Sequence, residues 1–267
     1  MKLPILDSNG VQKGEKELPS QFNEQIRHDL IRRAVLALFS TARTPYGADL
    51  RAGKRSSPDL SKRRRHYRGS YGFGISRVPR KILSRSGTRF NWVGAFMPGT
   101  VGGRRAHPPK AEKKYAEKIN VKEKRKAIRS ALAATVNKKL VEQRGHVVSE
   151  KYPCILGNDF ERLAKTKEVR IAFKKLNLAP ELARVKVRRI NVGKAKMRNR
   201  KYRRAVGPLI VVAQDCPLAK SSRNLNISVV AVKNLNAKVL APGAVPGRLT
   251  LFTERALDML GQEKLFV

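Results

Sequence analysis

The sequence predicts an α/β protein: a single globular domain with a largely parallel sheet covered by helices, and a long irregular basic loop inserted near its N-terminal third. Three observations predict it. Short β-rich runs alternate with stretches of helical period from about Pro153 onward, the pattern of parallel strands joined by helical crossovers. Helical periodicity ends near Arg43 and returns near Val121, bracketing a stretch that holds neither period. Hydrophobic residues make up 41% of the 267, enough for one core if the basic stretches lie outside it.

Taken in order, Leu3 to Leu6 is a short apolar run followed by Asp7-Ser8-Asn9-Gly10, whose Asn and Gly tolerate positive φ, so a strand and hairpin are expected. Ile26, Leu30, Ile31, Ala34, Val35, Leu38 and Phe39 line one face of a helix from about Asn23 to Ser40. Ile128, Leu132, Val136 and Leu140 lie four apart in a second helix, from near Val121 to before Gly145. Leu30, Ala34 and Leu38 of the first stripe and all four residues of the second are read as core. A strand at Pro153 to Leu156, helical stretches from Asp159 to Val185, and strands at Leu209 to Val212, Ile227 to Val232 and Leu249 to Phe252 follow. Thr253 is placed as the N-cap of a terminal helix with Glu254 in its first turn. The domain spans 1–267, with 43–113 as the insertion.

Charge dominates everything else. The chain has 59 Lys plus Arg against 20 Asp plus Glu, a formal net charge of +39. Such a surface repels itself and gains by releasing counterions from a multi-phosphate partner. Between Arg51 and Arg105 there are 15 Lys or Arg, one acid (Asp59) and 9 of the 19 glycines. No apolar face is available to bury there, and neighbouring charges lie within a Debye length of roughly 8 Å, so the loop is expected to order on RNA. Its candidate RNA contacts are Arg51, Lys54, Arg55, Lys62, Arg63, Arg64, Arg65, Arg68, Arg77, Arg80, Lys81, Arg85, Arg89, Arg104 and Arg105, with Trp92 among the aromatics able to stack on bases. A disordered linker is the bland alternative, disfavoured because linkers seldom carry a chain's one Trp and several other aromatics.

A second run, Arg184 to Arg204, holds 11 Lys or Arg and no acid. It connects a helix to a strand at one edge of the sheet, and offers Arg188, Arg189, Lys194, Lys196, Arg198, Arg200, Arg203 and Arg204 to RNA.

Other chemistries find little support. Cys154 and Cys216 stand far apart and the four histidines are scattered, so no metal is assigned and reduced thiols are expected. No cofactor is implied. Gly69-Ser70-Tyr71-Gly72-Phe73-Gly74 lacks the strand, helix and Gly-Lys-Ser/Thr ending of a phosphate loop. Asp159 and Glu161 are read as a helix start rather than a catalytic pair. No apolar run of about twenty residues or signal layout is present, so a cytosolic protein and no membrane partner are expected. An RNA-acting enzyme with a basic substrate arm and a chromatin-type DNA packager are the alternatives to a structural RNA-binding role.

Gly193-Lys-Ala-Lys-Met-Arg-Asn-Arg200 with Gly207-Pro-Leu-Ile-Val-Val212, and Leu240-Ala-Pro-Gly243 with Gly247-Arg-Leu-Thr-Leu-Phe-Thr-Glu254, closely resemble the archaeal and eukaryotic branch of ribosomal protein four of the large subunit. Arg77-Val-Pro-Arg80 and Gly102-Gly-Arg-Arg-Ala-His-Pro-Pro109 resemble the same family. The resemblance spans nearly the whole chain, with motifs in order. It implies a non-catalytic constituent of the cytoplasmic large subunit. Its loop would run through ribosomal RNA to the nascent-peptide exit tunnel and meet the loop of ribosomal protein twenty-two of the large subunit at the constriction. Other large-subunit proteins and the nascent polypeptide are further implied partners. By position the tip falls between about Arg77 and Trp92, with Arg77, Arg80, Lys81, Arg85 and Arg89 as its cations. Ile82-Leu83-Ser84-Arg85-Ser86 replaces a more glycine-rich eukaryotic tip, and the chain ends at Val267 without a long basic extension. Both features point to an archaeal source.

Overall fold

The computed structural model describes residues 1–267 and separates them into two units: Met1–Ala42 with Ala116–Val267, and Arg43–Tyr115. The first is the α/β unit. It begins with β1 (Lys2–Leu6) and β2 (Gln12–Glu17), joined through Gly10 at φ +78°. α1 (His28–Thr41) follows. It starts later than the periodicity suggests, because Ser20–Asn23 forms a separate short 3-10 turn and Arg27 is the extended residue before the helix.

Within Arg43–Tyr115 lie β3 (Arg80–Ser86) and β4 (Arg89–Gly94), which pair antiparallel. The stretch expected to be irregular throughout therefore contains a regular hairpin. Its apolar alternation is hidden in the sequence by a bulge between Ile82 and Ser84, which shifts the facing of every residue beyond it.

The chain re-enters the α/β unit next to its exit, where Ser40 Oγ accepts the Glu117 N–H at 3.0 Å. α2 (Val121–Val136) and α3 (Lys138–Gln143) replace the single helix expected from Val121 to Gly145. The break is at Asn137, an extended residue whose side chain accepts from Leu140 N–H and so starts a new helix. β5 (Ile155–Leu156), α4 (Thr166–Lys175) and α5 (Ala179–Lys186) come next. β6 (Arg188–Ile190), α6 (Lys194–Met197) and β7 (Tyr202–Arg204) form a basic arm of their own. β8 (Leu209–Val212), α7 (Leu218–Ser221), β9 (Ser228–Ala231), α8 (Ala237–Leu240), β10 (Thr250–Thr253) and α9 (Glu254–Gln262) complete the chain.

The main sheet has six strands in the order β2-β1-β5-β10-β8-β9, parallel except for the β1–β2 edge pair. Strand side chains alternate between two apolar layers. Leu209 and Val211 join Ile31, Ile128, Leu132 and Leu257 on one face; Ile210 and Val212 join Phe160, Phe173 and Leu218 on the other. Each such fully buried side chain contributes about 1.5–3 kcal/mol. Of the seven residues expected in the core, Ala34, Ile128 and Leu132 are buried, and Leu30, Leu38, Val136 and Leu140 are half-buried. Thr253 is indeed the residue before α9, but its hydroxyl donates to Glu161 Oε1 at 2.7 Å instead of capping the helix.

Candidate nucleic-acid interface

Two basic surfaces carry the candidate residues, one on each unit. In Arg43–Tyr115, the two ends are held together: Ala48 N–H donates to the Pro109 carbonyl at 3.1 Å. Gly53, at φ +71°, lies so near the Arg104 backbone that a Cβ would come within 2.4 Å of its nitrogen. This brings Lys54 beside Arg104 and Arg105 around one open cleft. Arg51 N–H and the Arg55 guanidinium both bind the Asp49 carboxylate, at 2.9 and 2.5 Å. Those donors hold the Asp49 carboxyl below its usual range, the Arg51 amide first and Arg55 second. Lys62, Arg63, Arg64 and Arg65 are exposed and form a continuous positive strip.

The bulge gives the β3–β4 hairpin a chemically mixed face. It places Arg85 opposite Phe90 and Ile82 opposite Trp92. Tyr67 packs edge-on against Phe90 at 5.3 Å, and Phe90 lies 5.4 Å from Trp92. Arg85 donates to Tyr67 Oη at 3.0 Å, and the Arg80 guanidinium sits 5.5 Å above the Trp92 ring. Arg68, Arg80, Lys81 and Trp92 line a single cleft of about 370 Å³. The five cations assigned to the tip by resemblance are thus divided. Arg85 and Arg89 flank the Gly87 turn, Arg80 and Lys81 stand at the opposite end of the hairpin, and Arg77 precedes it, stacked 4.5 Å over Tyr71.

The second surface is the arm, whose β6 and β7 put like charges opposite one another: Arg188 faces Arg204 and Arg189 faces Arg203. Such pairs are destabilising in water and call for an anion. All of β6 and β7 is exposed, as are Lys194, Lys196, Arg198 and Arg200 at the far end. The end is closed by Asn191, whose N–H and side-chain amide donate to the carbonyls of Lys201 at 2.8 Å and Arg200 at 2.6 Å.

Residues that sequence reasoning overlooked hold this arm in place. Arg184 donates to both Glu181 oxygens, at 2.6 and 2.7 Å, and to the Val206 carbonyl at 2.8 Å. His146 Nδ1 lies 2.7 Å from Glu181 Oε1, and Val147 N–H donates to Oε2 at 3.0 Å. Burial alone would push the Glu181 carboxyl up, but the Arg184, His146 and Val147 donors together hold it below its ordinary value. Arg248, 5% exposed, donates to the Gly207 and Val239 carbonyls and to Ser228 Oγ, at 3.0, 2.8 and 2.7 Å. With neutral acceptors alone, burial and then the nearby Arg144 push its pKa down to about 10, so it stays charged at neutral pH. Two arginines therefore grip Val206 and Gly207, the foot of the arm. The signal available for them was weak: Arg184 looked like one more member of a charge run, and Arg248 lay in an apolar stretch.

No helix is long and apolar enough to cross a membrane.

Comparison with known proteins is consistent from end to end. The model of the ribosomal protein L4/L1 family matches residues 16–263. Large ribosomal subunit protein uL4 of Nanoarchaeum equitans is 48% identical over 268 residues, covering 100% of both chains. The proteins of the same name from Archaeoglobus fulgidus and Saccharolobus solfataricus are each 42% identical, covering 98% of this chain and 99% and 94% of their own. With the family model spanning almost all of its length, the chain belongs to the ribosomal protein L4/L1 family.

Proposed function

We propose that the protein is a structural constituent of the large ribosomal subunit that binds ribosomal RNA through both basic surfaces and stabilises RNA junctions during and after assembly. The relatives are named as ribosomal proteins, so the reading as an RNA-acting enzyme gives way to a structural one. The observation that carries RNA binding is the arm: two directly opposed arginine pairs with no acid between Arg184 and Arg204. A protein free in solution gains nothing from that arrangement, whereas phosphates threading between the pairs would neutralise both. Exposed Lys62 to Arg65 and the Arg85–Arg89 turn offer the same chemistry on the other unit.

In this reading residues 43–113 act as an inserted RNA-binding loop ordered by ribosomal RNA, in the cytoplasmic ribosome. The hairpin turn, with Arg85 and Arg89, lines the nascent-peptide exit tunnel beside ribosomal protein twenty-two of the large subunit, and Arg77, Arg80 and Lys81 stand farther back along the same loop. The nascent polypeptide and other large-subunit proteins are its remaining neighbours. The family membership supports this assignment, and the cationic turn of the β3–β4 hairpin is compatible with it.

Binding of the full chain to a large-subunit RNA fragment and to duplex DNA of equal length, at matched moderate salt, tests the proposal. Tighter binding to the folded RNA, with log affinity falling steeply against log salt, is expected. Equal affinity for both would favour a general polyanion binder and overturn it.

A further inference from the structure

At the foot of the arm, α4, α5 and the turn at Arg223–Leu225 enclose two adjoining clefts that share Lys186, Asn224 and Asn226. They differ in chemistry. The first, about 360 Å³, is floored by Ala179, Leu182, Ala183 and Leu225, with Arg170 and Lys174 at its rim. The second, about 760 Å³ and open, is bounded by Lys186, Arg188, Arg204 and Arg223. No carboxylate lines either one. Glu181, the acid on α5, is fully buried and already holds Arg184 and His146, so it does not neutralise this cluster.

We propose that the paired clefts take one unpaired nucleotide of a structured RNA, the base in the apolar cleft and its flanking phosphates among the four cations. The inference rests on the RNA-binding reading above and goes further by naming a site and the feature it selects. Four like charges around one opening repel one another unless an anion enters, which accounts for the second compartment. An anion alone does not account for the first. Its apolar floor suits the face of a flat base, and its volume falls in the range of sites for small organic groups, roughly 300–1,000 Å³. The amides of Asn224 and Asn226 stand where the compartments meet, able to donate to and accept from a base edge. Asn226 is held in the left-handed conformation at φ +57°, and its Oδ1 accepts from Arg204 at 2.9 Å, which fixes that guanidinium beside the opening. A paired base presents no free face to such a site, so an unpaired nucleotide is selected.

Fluorescence-anisotropy titration of the full chain with two RNA hairpins tests this. In both, a non-nucleotide linker replaces the loop; one carries a single unpaired nucleotide in its stem, and in the other that nucleotide is paired. At about 0.15 M salt the bulged hairpin is expected to bind about tenfold tighter, the scale of one stacked base. Ala183→Trp, at an exposed position, fills the apolar cleft and should abolish the preference while leaving affinity for the paired hairpin unchanged. Arg223→Glu, also exposed, should lower affinity for the bulged hairpin at least as far. Circular dichroism checks that both variants fold. Equal binding of the two hairpins, or a preference that survives both substitutions, overturns the nucleotide site and leaves RNA binding standing. Failure to bind either hairpin overturns RNA binding itself.

Discussion

The α/β unit and the Arg43–Tyr115 unit are held together by different forces. The first has two continuous apolar layers on either side of a six-stranded sheet, and its buried charges, Glu181 and Arg248, have specific hydrogen-bond partners. In the second, Ala95 is the one apolar side chain that is fully buried. What organises it is a two-stranded hairpin, ring-to-ring contacts among Tyr67, Phe90 and Trp92, and guanidinium stacking on Tyr71 and Trp92. An isolated two-stranded hairpin is marginal in water, and contacts of this kind are worth about 0.5–1.5 kcal/mol each. One unit thus carries its own folding free energy, while the other carries geometry and charge with little apolar burial to stabilise them.

Amide hydrogen exchange without RNA is the strongest way to break this contrast. Amides of Ile210 and Leu251, in central strands, are expected to exchange only through global unfolding; those of Arg85 and Phe90 should exchange at least about a thousandfold faster. Comparable protection in the two regions would mean that the hairpin unit is stable by itself. The same contrast can be probed by truncation. Phe173→Ala, which empties a fully buried site in the α/β unit, should cost about 3–5 kcal/mol in denaturant unfolding. Trp92→Ala should leave that transition within about 0.5 kcal/mol of the parent, yet weaken RNA binding by about 1–3 kcal/mol. A large loss of global stability from Trp92→Ala would contradict the division.

The same division explains what could be read from the sequence. Apolar runs such as Leu209 to Val212 declare themselves because burial on both faces demands an unbroken hydrophobic strand. The helix break at Asn137 was harder, since the apolar spacing of Ile128 to Leu140 continues through it and the interruption is a local side-chain cap. The β3–β4 hairpin was hidden by its bulge, and a face made of Arg85, Phe90 and Trp92 gives no hydrophobic alternation to detect. Charge density marked both basic surfaces. It did not mark the grip of Arg184 on the arm, because a run of cations looks the same whether one member is solvated or locked to a buried carboxylate, nor that of Arg248, which stands alone in an apolar stretch.

That locked carboxylate yields a third prediction. The Glu181 carboxyl titrates below its ordinary value near 4.5, so its contribution is complete above the unfolded-state pKa and is lost as the pH falls through the lower folded-state value. Glu181→Gln is therefore expected to destabilise the protein by about 3 kcal/mol at pH 7, since it leaves the buried end of Arg184 without its charge partner. The difference from the parent should shrink as acid is added below about pH 4.5. A difference in unfolding free energy that is constant from pH 7 to pH 3 would show that the carboxylate charge is not what clasps the arm.

The smallest expected effect is the most direct on how charge and stability are traded. Replacing Arg203 with Glu puts an opposite charge across from Arg189 in the β6–β7 ladder. By itself this should stabilise the arm by about 0.2–1 kcal/mol, visible as slower exchange of the Ile190 and Tyr202 amides. Affinity for RNA should fall at the same time, and the slope of log affinity against log salt should become shallower by about 1 as a phosphate contact is lost. Opposite signs for the two effects would mean that the arginine ladder is retained against the arm's own stability, because its ground state is the one with phosphate between the strands. If Arg203→Glu loosens the arm as well as weakening binding, the arginines support the hairpin by themselves and the case for phosphate as its missing partner is lost.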